Sequence, residues 1–269
     1  MSLLRALPPL LRAFPTLLRV GFAEMVAYRA EMVVWILTAT LPLVMLALWS
    51  AAAEGGPLAG FGQAEFARYF TVTLVVRQVT GAWVVWELNH LVRTGALSPQ
   101  LLRPVNPLLF NLAETLAAIP VRLLVLAPIL LALFAWRPDI AFLPSPATAL
   151  MGALSVLLAF ALSWLVQAIF GMLSFWLEQS VGLFGLWFAA WGLFGGYIIP
   201  LPLLPEGLRA VAEWLPFQAS LGAPVEILLG IEPQPLRSLL VQAGWVLLAT
   251  LLARWMWARG IVRYGAVGA

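Results

Sequence analysis

Apolar runs of about 20 residues alternate with short clusters of Gly, Pro and charged side chains along the whole chain. The pattern predicts spans at Val33–Ala53, Phe66–Leu91, Leu108–Trp136, Thr148–Leu177, Val181–Ile199 and Leu236–Ala258. Between them lie a turn-rich loop at 54–65, a Gly/Pro-punctuated connection at 92–107, a loop at 137–147, a tight link at Glu178–Ser180 and a long proline-rich segment at 200–235. Barrel strands would alternate apolar and polar over about ten residues, which these unbroken runs do not. The expectation is an all-α polytopic membrane protein of about six transmembrane helices. A single transmembrane domain over 31–269 follows an interfacial helix over 1–30. In that stretch Arg5, Arg12 and Arg19 recur on one helical stripe, as in a helix lying in the membrane plane. Those arginines, with Pro8, Pro9 and Pro15, break the apolar run that a secretory signal needs.

Composition strengthens this reading. Of the 269 residues 63% are hydrophobic and 10% charged, with a mean hydropathy of +0.98. Soluble domains carry about 25% charged residues and cannot hide this much apolar surface. Every basic residue is arginine, and the net charge is +3. A basic soluble chain would suggest nucleic acid as a partner; here the arginines sit between apolar runs, where orientation and anionic lipid explain them. Cysteine is absent and His90 is the only histidine, so thiolate chemistry and a histidine-based metal site are excluded. With an even number of spans both termini share a side. That side holds Arg5, Arg12, Arg19, Arg29, Arg93, Arg103, Arg259 and Arg263; Arg68, Arg137, Arg209 and most acidic residues fall opposite. The positive-inside rule then puts both termini in the cytoplasm.

Four groups of residues are candidates for function. The first is the connection Gly95-Ala-Leu-Ser-Pro-Gln-Leu-Leu-Arg-Pro-Val-Asn-Pro107, where Leu101, Leu102 and Arg103 are expected to form one helical turn that Pro104 stops. It is either a docking projection for a soluble partner or a plain hairpin connector. The second is the external segment 200–235, with Trp214, Pro216, Phe217 and Pro224. It holds two helix-like pieces too short to span, which either form a lid over a pathway or cap the interface. The third is the set of ionisable residues inside spans, Arg77, Glu87, Glu114 and Arg122, with Arg77–Glu114 and Glu87–Arg122 as candidate pairs. These either line a pathway or form structural ion pairs. The fourth is the aromatic face Phe184, Trp187, Phe188 and Trp191 of the fifth span, which suits a pathway, a subunit interface or ordinary packing.

The chain has no lysine, so a Walker-type phosphate loop is impossible, and it holds neither a G-x-S-x-G elbow nor an H-E-x-x-H pair. It resembles the permease subunits of ABC-2 type transporters, specifically a bacterial membrane family once described as a domain of unknown function. The resemblance rests on Glu24-Met-Val-Ala-Tyr-Arg-Ala30, on Gly95…Leu101-Leu-Arg-Pro-Val-Asn-Pro107 and on Leu204-Pro205…Trp214-Leu-Pro-Phe217…Pro224…Gly230. It implies six helices, an in-plane N-terminal helix and short re-entrant helices before the last span. It also implies a second permease, identical or related, and a separate cytoplasmic ATPase dimer that holds ATP and Mg2+. No cofactor is expected in this chain. Residues 92–107 would be the coupling helix seated in a cleft of the ATPase, and the in-plane N-terminal helix would add a second contact. Two other classes stay open at this stage: an ion-gradient-driven secondary transporter using buried carboxylates such as Glu114 and Glu87, and a membrane scaffold without transport.

Overall fold

The computed structural model describes residues 41–267, the side chains of 265–267 excepted, together with Pro15, Thr16, residues 18–20 and Phe22. The expected in-plane stretch 1–30, its Glu24–Ala30 motif and the first part of the span at Val33–Ala53 lie outside the described residues in all but those positions.

Among the described residues the chain is helical. Three helices are long and apolar enough to cross a bilayer: α5 (Pro107–Trp136), α6 (Pro146–Met172, prolonged by a 3-10 turn to Phe175) and α11 (Pro235–Val267). Each opens on a proline, whose missing N–H costs nothing at a helix start. Two of these starts are capped: the Asn106 side chain accepts from the Leu108 amide at 2.8 Å, and Ser145 accepts from the Thr148 amide at 3.2 Å. Shorter apolar helices are α1 (Leu41–Ala52) and α7 (Ser180–Phe194).

The expected span at Phe66–Leu91 is not one helix. It is α2 (Gln63–Thr80) and α3 (Val84–Arg93), separated by an extended break at Gly81–Trp83. Gly81 carries about 1 kcal/mol of helix penalty and follows the β-branched Val79 and Thr80, so helix propensity is weak at the end of α2. α2 nevertheless lies at the heart of the protein. Phe66, Tyr69, Phe70 and Leu74 are fully buried, and the Tyr69 hydroxyl donates to the Gly196 carbonyl at 3.0 Å. Gly196 is at φ +78°, and a Cβ there would meet the Tyr69 hydroxyl, so this turn requires glycine. The same turn ends α7 at Phe194, earlier than the expected Ile199. α11 runs past the expected Ala258, because helical backbone continues beyond the apolar stretch.

The connections sort to two ends. At one end Arg93 donates to the Glu178 carbonyl at 2.8 Å, Arg263 to the Phe175 carbonyl at 3.0 Å, and Ser98 bonds Tyr264 at 2.9 Å. This ties together the α3–α5 connection, the α6–α7 link and the C-terminal end of α11. At the other end Arg68 donates to the Asp139 carbonyl at 2.7 Å, Arg137 grips the Asp139 carboxylate at 2.8 Å, and Trp49 donates to the Ile198 carbonyl at 2.9 Å.

Candidate functional site

A cleft opens beside the break in α2–α3. Its polar wall is Arg77 from the last turn of α2 and Gln167 from α6; Trp83 and Trp86 form one rim, and Trp187 and Trp191 of α7 face them. Phe184 and Phe188 extend the α7 wall. Arg77 lies 5.4 Å above the Trp191 ring, with the Tyr197 hydroxyl beside it. Gln167 is buried, and its carbonyl oxygen has no hydrogen-bond partner. Trp83, Trp86 and Phe188 are exposed, so the cleft opens at the protein's own surface.

The ionisable residues of the spans gather around the break. Arg77 and Arg122 converge on Gly81, where Arg122 donates to the carbonyl at 2.6 Å and both guanidiniums lie 3.1 Å from where a Cβ would stand. Glu87 instead accepts from the Asn111 amide, whose oxygen accepts from the Trp164 indole at 3.0 Å. None of the ion pairs among the described residues joins Arg77, Glu87, Glu114 and Arg122 to one another. The break leaves the Gly81 carbonyl free of the helix ladder, and Arg122 takes it.

The segment 200–235 folds into α8 (Glu206–Ala212), α9 (Pro216–Ser220) and α10 (Gly222–Leu229). Pro216 opens α9 as well as stopping what precedes it. α9 and α10 sink between α2, α6 and α11, so Gln218, Ser220, Pro224 and Glu226 are buried while Trp214 stays at the surface under Arg237. α9 forms the ceiling of the cleft: Phe217 packs on Trp187 with ring centres 4.6 Å apart, and Ser220 accepts from the Trp191 indole at 2.9 Å. Gln242 of α11 holds α9 in place, donating to the Ala219 carbonyl at 2.7 Å and accepting from Ser155 at 2.8 Å. On α10 one Glu226 carboxylate oxygen accepts from Gln218 at 3.3 Å and the other is unpaired. Burial, and then the nearby Glu232, push its carboxyl up to about 8.

The connection after α3 turns at Gly95, φ +77°, into the five-residue helix α4 (Leu97–Leu101). The expected turn at 101–103 thus lies one turn upstream, because buried Leu97 anchors it against α3 and α5. Leu102 and Arg103 follow as an exposed tip, with Leu102 88% exposed, before Pro104 and the buried Pro107 lead into α5.

Sequence reasoning missed Gly81, Ser220, Gln242 and Tyr197 as site residues. A lone polar or small residue inside an apolar run was the available signal for the first three.

Three helices long and apolar enough to cross a bilayer, with two shorter apolar helices beside them, are those of a multi-pass membrane protein. Residues 25–268 match the family model described as ABC-2 family transporter protein, and the chain belongs to that family: it is a permease of an ABC-2 type transport system. Neither the curated proteins nor the solved structures gave a match.

Proposed function

We propose that this chain is one of two permeases of an ATP-driven exporter in the inner membrane. It crosses six times, through α1 with its upstream residues, α2–α3, α5, α6, α7 and α11, with both termini cytoplasmic. The second permease is a copy or a homologue. The chain performs no nucleotide chemistry; a separate cytoplasmic ATPase dimer holds ATP and Mg2+. The observation that carries the coupling is the tip at Leu102 and Arg103, an exposed apolar and cationic pair on a turn anchored by Leu97 and the Ser98–Tyr264 bond. α3 is a rigid rod from that turn to the break at Gly81–Trp83. A push on the tip pivots α3 at the break and moves Trp83 and Trp86 relative to α7. The ceiling residues Phe217 and Ser220 pass that movement to the re-entrant cap, which opens the cleft outward.

The test is gentle purification of the tagged chain from its native membranes, with mass spectrometry of what accompanies it. A stoichiometric ATPase is expected. It should be lost in the Leu102→Asp/Arg103→Asp double variant, whose melting temperature stays that of the unaltered protein because both side chains are exposed. Transport that persists without ATP and collapses with the ion gradient would replace this reading with a secondary transporter.

A further inference from the structure

Two arginines lie within spans at the break, and none of the ion pairs among the described residues includes either. Intramembrane cations are costly unless compensated. The compensation visible here is small. Arg122 has the Gly81 carbonyl, and Arg77 has the Trp191 face and the Tyr197 hydroxyl. The C-terminal end of α2 contributes about half a negative charge, but α3 begins three residues later and its N-terminal end contributes about half a positive one. Among the described residues no carboxylate forms an ion pair with either guanidinium.

The surroundings specify what opposes them. A guanidinium carries five N–H donors in a fork that fits a carboxylate or phosphate. Gln167 lines the same cleft as Arg77, buried and with an unpaired amide oxygen. An aromatic cage alone would favour a cationic ligand, but Arg77 already occupies the Trp191 face and repels a second cation. From this polar end the walls run outward between Trp83 and Trp86 on one side and Trp187 and Phe188 on the other, to an exposed rim. A ligand that fits has an acidic head and an apolar body, with the head on Arg77, a head-group hydroxyl or N–H on Gln167, and the body between the indoles. We propose that this cleft binds an anionic amphiphile, head inward against Arg77 and Gln167. Calling the ligand cargo rests on the permease reading above; its binding does not.

The test uses the full chain with its ATPase, reconstituted in phosphatidylcholine vesicles. The probes are a spin-labelled fatty acid and its methyl ester, at about pH 9 where the carboxyl is ionised. The fatty acid should bind about thirtyfold more tightly than the ester, the scale of one desolvated charge contact. Arg77→Gln should abolish the preference and Arg77→Lys should keep part of it. Trp187→Ala should weaken both probes alike. Where Arg77→Gln does not fold, Arg77→Lys takes its place and should reduce the preference severalfold. Release of bound fatty acid on adding ATP marks the ligand as cargo, and retention marks it as a resident lipid; both satisfy the proposal. Equal binding of acid and ester, or a preference that a folded Arg77→Gln or Arg77→Lys variant leaves intact, overturns it. An ATPase that co-purifies while the probes bind equally would refute this site and leave the permease reading standing.

Discussion

α5 and the α2–α3 pair both cross the bilayer in our reading, yet they are opposite kinds of segment. α5 is 30 residues of mostly apolar sequence, interrupted by Asn111, Glu114 and Arg122, and much of it faces outward, with Leu124 and Leu131 exposed. The α2–α3 pair carries Arg68, Arg77, Gln78, Glu87 and Asn89, is interrupted by Gly81, and has the most deeply buried helix, α2, of the two. Hydropathy therefore reports contact with lipid rather than depth in the fold. Polar residues survive in the segment that lipid touches least, because protein groups can satisfy them there. That is also where a helix can break, since Arg122 is at hand for the freed carbonyl.

The comparison predicts unequal responses to truncation. Phe70→Ala on α2 removes a fully buried ring and should cost about 3–5 kcal/mol. Leu124→Ala on α5, 72% exposed, should stay within about 0.5 kcal/mol. Thermal unfolding in one detergent checks both, and equal losses would break the contrast. A smaller effect is expected where a lipid-facing helix turns one polar residue inward. Gln242→Leu leaves the Ala219 carbonyl and the Ser155 hydroxyl without their partner and should cost about 2 kcal/mol, whereas its exposed neighbour Leu240→Ala should cost little. The effect at the cap depends on pH. Glu226 titrates at about 8 when folded and within the ordinary carboxylate range when unfolded. The folded state therefore holds an extra proton between those values. Stability should fall as pH rises through that window, by at most about 1.4 kcal/mol per pH unit, and level off above it. Glu226→Gln should flatten the slope. Unfolding followed from pH 4 to pH 9 reads the difference, and an unchanged slope would remove Glu226 as its source.

The lipid-facing parts were legible in the sequence because lipid enforces apolarity over a set length. The expected Leu108–Trp136 and the observed Pro107–Trp136 differ by one residue. The interior was less legible. The expected span Phe66–Leu91 has the right extent, but Gly81 alone does not announce a break, since membrane helices tolerate glycine when packing supports it. The proline-rich 200–235 segment announced short helices, and Pro216, Phe217 and Pro224 were singled out. Their depth was hidden because it depends on Gln242 and Ser155, which are distant in sequence. Arg77 and Arg122 were recognised as costly. Their convergence on Gly81 depends on backbone geometry that no residue type encodes.

The central claim is that a push on the 94–106 connection pivots α3 at the break and moves it against α7. The chain has no cysteine, so cysteines introduced at the exposed positions His90 on α3 and Leu186 on α7 would carry its only spin labels. The distance between them would be measured in the reconstituted complex with and without ATP and Mg2+. The account predicts a shift on nucleotide binding that disappears in the Leu102→Asp/Arg103→Asp variant. An unchanged distance in a complex that hydrolyses ATP and transports would contradict it.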